Sequence, residues 1–261
     1  MNGMGSSRQH HGEGGWRTGS WRAGDTHGMS TAIRALTLDL DDTLWPVAPI
    51  IQRAEQALFD WLQVHAPATA ERYPVAGMRR LRAEIEVRHP ELVHDLTALR
   101  RRAIHEALAS CGDDVALTDA AFDLFMAERH RVTLYDDVLP ALERLAARFP
   151  LLALSNGNAD VALTGVGHCF VGRVGAREAG VAKPDPRIFA VACEALGLPA
   201  EAVLHVGDSW HHDVLGARAA GLHSAWVHRG AAMPEGAHDL AGSGWHVQVE
   251  DIDALAQALG V

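Results

Sequence analysis

Ile33-Arg-Ala-Leu-Thr-Leu-Asp39-Leu-Asp41-Asp42-Thr43 is a short apolar run that ends in a cluster of carboxylates. Hydrophobic residues on consecutive positions read as a strand buried on both faces, the habit of parallel sheets. In such sheets chemistry sits at the carboxyl ends of the strands, where these acids fall. Carboxylates this close repel one another unless a cation or a proton offsets the charge. Period-two alternation turns Asp39 and Asp41 the same way and Asp42 elsewhere, so the first two reach one site. Mg2+ suits that site, because it takes carboxylate oxygens while keeping waters and substrate phosphate. A strand end capped by Asp residues in a turn is the competing account of the tripeptide alone.

Outward from this run the pattern changes twice. Residues 50–66, 76–89, 97–111 and 118–131 show helical spacing with no strand between them, and Ile51, Ala54, Leu58 and Leu62 form one apolar stripe. Beyond Asp137 the chain alternates: helix 138–148, strand 151–155, strand near 170–174, helix 186–196, strand 203–207, helix 212–220 and strand 223–228. The expected fold is α/β, a doubly wound parallel sheet with an inserted all-helical block. The expected division is a core of 30–46 and 136–261, a helical insertion of 47–135, and a leader of 1–29. The leader, rich in Gly, Ser, His and Arg without a hydrophobic period, reads as disordered, and its His10 and His11 as solvated. Met29 is a candidate start, and the leader lacks the apolar stretch of a secretory signal. Residues 230–246 read as a loop before a last helix at 250–259.

Composition removes several classes of function. A formal charge of −10, from 33 acidic against 23 basic residues, disfavours a nucleic-acid partner, since phosphate backbones need clustered Lys and Arg. The longest apolar runs, such as Phe149 to Leu154, fall far short of the roughly 18 to 20 residues of a membrane span, so no membrane partner is expected. Cys111, Cys169 and Cys193 have neither disulfide-framework nor zinc-site spacing and read as inert thiols of a reducing, cytoplasmic compartment. Of the 23 basic residues only Lys183 is lysine, a position that asks for a reason.

Three further segments carry chemistry. Val203-Leu-His-Val-Gly207-Asp208-Ser209-Trp-His-His-Asp213 is again strand, Gly-Asp and helix start. In a parallel sheet it ends on the same edge as the first strand, so Asp208 can complete the cation site, with Asp213 as a direct or water-mediated partner. An ordinary helix cap is the bland alternative for Asp208 or Ser209. Ser155-Asn156-Gly157 closes the strand Leu151-Leu-Ala-Leu, where a hydroxyl and backbone N–H groups make an anion cradle, or simply a turn. Lys183, in Val-Ala-Lys-Pro-Asp-Pro before a helix, can neutralise a phosphate oxygen and a nucleophilic carboxylate. His211 and His212 face about 100° apart on a helix and are left outside the site.

Asp-x-Asp-x-Thr, then Ser-Asn, then Lys-Pro, then Gly-Asp-Ser-x-x-x-Asp occur in order, each at a strand end or loop. Over about residues 33–228 this conjunction resembles the haloacid dehalogenase superfamily of aspartate-nucleophile phosphohydrolases. The resemblance implies that Asp39 attacks phosphorus and that Asp41 protonates the leaving alkoxide and then activates water. It implies that Thr43, Ser155 and the Asn156 amide bind phosphoryl oxygens and that Lys183 stabilises the developing charge. Mg2+ would be held by Asp39, the Asp41 carbonyl and Asp208, and Asp213 would orient Lys183 or a metal water. Dehalogenases of the superfamily lack the second aspartate of the first motif, so Asp41 favours hydrolysis of a small-molecule phosphate ester.

The helical block resembles the family's cap, which excludes water and sets leaving-group specificity. Pro90-Glu-Leu-Val-His94-Asp95-Leu-Thr followed by an Arg run, Ser155-Asn-Gly-Asn158, and Leu204-His-Val-Gly-Asp208 are similar to bacterial flavin-pathway phosphatases. Those act on FMN and on 5-amino-6-(5-phosphoribitylamino)uracil. His94, Asp95 and Arg101 are the cap residues this resemblance singles out, with helix capping and a solvated face as the alternatives. Trp45 either stacks on a heteroaromatic ring or packs inside. A phosphoglycolate, nucleotide or broad-specificity phosphatase, a phosphomutase, and a noncatalytic binding protein on the same fold are the other readings.

Overall fold

The computed structural model describes residues 33–232 and 246–261. The leader at 1–29, with His10 and His11, and most of the loop read at 230–246 lie outside the described residues. Strands β1 (Ala35–Leu38), β2 (Leu151–Ser155), β3 (Gly172–Gly175), β4 (Val203–Gly207), β5 (His223–Val227) and β6 (His246–Val249) form one sheet in the order 3-2-1-4-5-6. Every pairing in it is parallel. The sixth strand corrects the loop reading. His-Val-Gln-Val is a four-residue edge strand buried on alternate residues only, too short to stand out from sequence.

The sheet is buried on both sides because helices cover both faces. Leu36, Leu38, Leu151, Ala153, Leu204 and Val206 pack with α6 (Val138–Ala146) and α10 (Ile252–Ala258). Leu152, Leu154, Val174 and Val203 point to the other layer, which contains α8 (Pro186–Leu196) and α9 (Gly216–Ala219). Alternate residues of one strand thus serve two cores, and each buried Leu or Val contributes roughly 1.5 to 3 kcal/mol. A four-residue helix α7 (Ala176–Ala179) follows β3, and a π-helical turn, Trp210–Leu215, precedes α9.

Between β1 and α6 come α1 (Val47–His65), α2 (Pro67–Arg72), α3 (Val75–Arg88), α4 (Leu96–Cys111) and α5 (Thr118–Arg129). Their stripes meet in a separate core of Ala54, Leu58, Leu62, Ile104, Leu108, Phe122 and Phe125. On α1 the expected stripe faces this core, with Ala54, Leu58 and Leu62 buried and the partly covered Ile51 packed against them, whereas the preceding Ile50 is buried in the sheet core. Asp95 caps α4 by accepting from the Ala98 N–H at 2.8 Å, and Gly112 ends it in the left-handed region. The three cysteines are unpaired, and burial raises the thiol pKa of Cys169 and Cys193, in keeping with inert thiols. Among the described residues no helix is long and apolar enough to cross a membrane.

Candidate active site

The sheet register assembles the site. Leu38 lies level with Ala153 of β2 and Val206 of β4, so Asp39, one residue on, and Ser155 and Asp208, two residues on, emerge on one edge. The Asp39 N–H donates to the Val206 carbonyl at 2.8 Å, which ties the first acid to the strand bearing the second. A carboxylate oxygen from each of Asp39, Asp208 and Asp213 falls within 4.8 Å of the others. Gly207 makes this possible: a Cβ there would collide with the Asp213 carboxylate.

Lys183 is the hub. It is 3% exposed, and its Nζ lies 2.8 Å from Asp39 Oδ1 and 2.6 Å from Asp213 Oδ1. The Asn156 side chain clamps its backbone, accepting from the Lys183 N–H at 2.7 Å and donating to the Lys183 carbonyl at 2.9 Å. Behind Asp213 sits the buried His205, with Nε2 3.0 Å from Asp213 Oδ1 and Nδ1 2.8 Å from Thr37 Oγ1. Burial lowers the His205 pKa, so the ring is neutral, donating from Nε2 to Asp213 and accepting from Thr37. Asp213 also accepts from the Ser209 N–H at 2.9 Å.

Burial pushes Asp39 up to about 7, against the pull of Lys183. Burial, with Asp213 nearby, pushes Asp208 up to about 6. Burial would raise Asp213 too, but Lys183 and His205 outweigh it and hold it below the usual carboxylate range. For Lys183, burial works against the ammonium and the two acids more than restore it. Asp39 and Asp208 are therefore left short of positive charge while Asp213 is satisfied. The donor set fits a hard divalent cation held chiefly by Asp39 and Asp208.

Asp41 departs from the expected geometry. β1 ends at Leu38 and the chain turns, so alternation does not carry the Asp41 carboxylate into the acidic cluster. It accepts instead from Trp45 Nε1 at 2.8 Å and, through both oxygens, from Arg129 Nη2 at 2.7 and 2.6 Å. Asp42 takes a left-handed φ of 59° and accepts from the Val47 N–H, starting α1. Trp45 is fully buried in the sheet core, so of its two readings the packed one holds and its face is not offered to a ligand ring. The Thr43 hydroxyl is committed to Asp208, donating to Oδ1 at 2.9 Å and accepting from its N–H at 3.0 Å. Ser155 Oγ accepts from the Gly157 N–H at 3.0 Å and keeps its own proton to donate.

A cavity of about 210 Å³ opens beside the Asn156-Gly157-Asn158 turn, between the helical block and the sheet. His94, Asp95 and Thr97 line it from one side, Phe122, Met126 and His130 from α5 and its end, and Arg173 and Arg177 from the sheet side. Asp95 Oδ2 lies 3.5 Å from Arg177 Nε, and His130 Nε2 accepts from the Asp160 N–H at 3.1 Å, so the helices are docked. Arg101 stands outside this cavity: it pairs with Asp119 at the surface and lies over the Phe122 ring. His211 and His212 are exposed and are not among the clustered ligands Asp39, Asp208 and Asp213, in keeping with their being left outside the site. Sequence reasoning missed Arg129, His205 and Arg177, and it quoted Asn158 only as part of a resemblance, with no role of its own. Arg129 had a signal: it continues the Phe122, Phe125 stripe by one turn, an arginine on a buried face.

The haloacid dehalogenase-like hydrolase family model matches residues 33–221. The 5-amino-6-(5-phospho-D-ribitylamino)uracil phosphatase YigB of Escherichia coli is 35% identical over 199 residues, 75% of this chain and 83% of that protein. The phosphoserine phosphatase of Thermus thermophilus is 30% identical over 246 residues, covering 80% and 94%. Among solved structures, a 2-haloacid dehalogenase from Pseudomonas syringae superposes with a TM-score of 0.79 at 35% identity, over 87% of this chain and 98% of that one. An acid-lined strand edge under a docked helical block, together with these relatives, makes the chain a member of the haloacid dehalogenase-like hydrolases and a phosphatase within them.

Proposed function

We propose that the protein is a Mg2+-dependent phosphomonoester hydrolase that works through an aspartyl-phosphate on Asp39. Its substrate class is the flavin-pathway phosphates, 5-amino-6-(5-phospho-D-ribitylamino)uracil or FMN. The observation that carries this reading is the placement of Asp39, 2.8 Å from a buried ammonium and beside Asp208, with Asp41 against the turn at Gly157. We divide the chain accordingly into a catalytic core, 30–46 and 136–261, and a specificity cap, 47–135, in a reducing compartment that suits its free thiols.

Asp39 supplies the attacking oxygen, and Lys183 favours its anionic form against the effect of burial and balances charge on the phosphoryl group. Asp213, fixed by His205 and the Ser209 N–H, orients Lys183. The Ser155 hydroxyl and the backbone of the Asn156 turn receive phosphoryl oxygens. Asp41 gives its proton to the departing ester oxygen and takes one from the water that hydrolyses the phosphoenzyme. Asp39 and Asp208, with the Asp41 carbonyl, would hold Mg2+, which when bound supplies Lewis-acid stabilisation of charge on the phosphoryl group.

The cavity supports the substrate class. Its polar rim of Asp95, Thr97, Asn158 and Arg177 suits a polyhydroxylated chain, and Phe122, Met126 and Leu163 suit a planar base beyond it. The likeness to the E. coli uracil-derivative phosphatase points the same way. Phosphate release with Mg2+ is to be measured on both flavin-pathway compounds, phosphoglycolate, nucleoside monophosphates and sugar phosphates. The expected result is the highest kcat/KM on a flavin-pathway compound, and a loss of about 10³-fold or more in Asp39→Asn. Equal turnover of the whole panel removes the substrate assignment, and normal turnover by Asp39→Asn removes the nucleophile.

A further inference from the structure

Arg129 ends the last cap helix, yet its guanidinium lies in the core, against Asp41. It is 1% exposed, and Nη2 donates to both Asp41 oxygens at 2.7 and 2.6 Å. The end of α5 is pinned from two sides. Arg53 of α1 donates to the Glu128 carbonyl at 3.0 Å and to the Arg131 carbonyl, and His130 is held by the Asp160 N–H. Nη1 of Arg129 is buried with no partner. A buried donor left unmet costs roughly 1 to 3 kcal/mol, so the contact is poorly explained as a device for stability.

The carboxylate is aimed as well as held. Oδ1 of Asp41 accepts from both Trp45 Nε1 and Arg129 Nη2. Oδ2 faces Gly157, where a Cβ would come within 2.5 Å of it and 3.3 Å of both Ser155 Oγ and Arg129 Nη2. Arg129 thus turns one Asp41 oxygen toward the turn that cradles the phosphoryl group.

We infer that Arg129 is a positioning residue, through which docking of the cap sets the Asp41 carboxyl for proton transfer to the leaving group. The inference rests on the phosphohydrolase reading above. In the step concerned, an Asp39 oxygen bonds to phosphorus and the ester P–O bond breaks with its electron pair left on oxygen. That oxygen takes the Asp41 proton. Arg129, donating to both oxygens, keeps the Asp41 carboxyl group in place throughout and neither gives nor takes a proton.

A leaving group that needs no proton separates this role from a structural one. Arg129→Met and Arg129→Lys are compared with the native chain on a primary alkyl phosphate, FMN or glycerol 3-phosphate, and on p-nitrophenyl phosphate, with Mg2+. The alkyl-to-aryl ratio of kcat/KM reports only the steps up to departure of the leaving group, not the phosphoenzyme hydrolysis common to both esters, and is independent of the fraction of protein folded. In Arg129→Met the expected loss is about 10²-fold in kcat/KM on the alkyl ester and only a few-fold on the aryl ester. Arg129→Lys should recover part of the ratio. Asp41→Asn should show the same selectivity, and the double variant should be no worse than Asp41→Asn alone. Equal losses on both esters, or additive losses in the double variant, overturn the inference. Native protein that hydrolyses neither ester, or an Asp39→Asn variant that remains active, brings down the underlying phosphohydrolase reading instead.

Discussion

Asp95 and Arg101 lie six residues apart in sequence and belong to different surfaces. Asp95 caps α4 and lines the cavity opposite Arg177, whereas Arg101 is spent on Asp119 and the Phe122 ring. Asp95→Ala should raise KM several-fold on the preferred substrate and cost about 1 kcal/mol of stability through the lost cap. Arg101→Ala should leave kcat/KM within about twofold, as a surface pair contributes little. Steady-state kinetics and thermal melts of the two variants check both, and equal effects would contradict the placement. The residues legible in sequence were those whose neighbours announce a strand end: Asp39, Ser155 and Asp208 each follow an apolar run, so their positions follow from the sheet. Thr43 and Trp45 were legible only as near the site. Which way they turn depends on Asp208 and Asp41, partners that spacing does not reveal. Arg129 had a signal in its place one turn beyond Phe125, but at a helix end a single charge on such a stripe reads equally as its solvated edge.

The helical insertion is held by charge as well as by its stripes. Glu55 of α1 is buried between Arg79 at 2.5 Å and Arg100 at 3.8 Å, and Arg100 stacks over the Phe125 ring. Burial, helped by neighbouring Arg82, pulls the Arg100 pKa down to about 9. Glu55 therefore offsets an arginine-rich patch within α1, α3 and α4. Removing one partner of a buried pair strands the other charge, so Glu55→Ala should destabilise the protein by about 3 kcal/mol, read from denaturant melts. An unchanged midpoint would show that the arginines relax into solvent. Helical spacing found the four long helices of this block and missed the six-residue α2, which is shorter than two turns. The helix read at 212–220 begins earlier, at Trp210, because Ser209 caps a π-helical turn by accepting from the His212 N–H at 3.2 Å. Apolar periodicity locates faces, whereas caps and turns such as this one set boundaries.

Across the whole molecule, the acidic edge is expected to couple stability to pH and to a bound cation. Without a cation, Asp39 and Asp208 bind protons more tightly folded, at about 7 and about 6, than unfolded at 3.8. Acids whose pKa is raised by folding cost stability as pH climbs from about 4 to 7. A divalent cation competes with those protons, so the rise in Tm on adding Mg2+ should be small near pH 5 and large near pH 8. At a hundredfold excess over Kd it amounts to about 2.7 kcal/mol, roughly 5 to 10 °C for a chain of this size. Differential scanning fluorimetry in Mg2+ and in chelator measures it, and a pH-independent difference would refute the coupling. The overall architecture was the most legible level, because a doubly wound sheet needs only the order of its apolar runs. The cavity was the least, because it forms between segments far apart in sequence.

The single lysine of the chain is sealed between two carboxylates, so the folded surface presents no lysine amine to electrophiles. Acylating reagents and amine-directed cross-linkers reach that side chain only when the site opens. The rate at which Lys183 is labelled therefore clocks the opening of the catalytic edge itself.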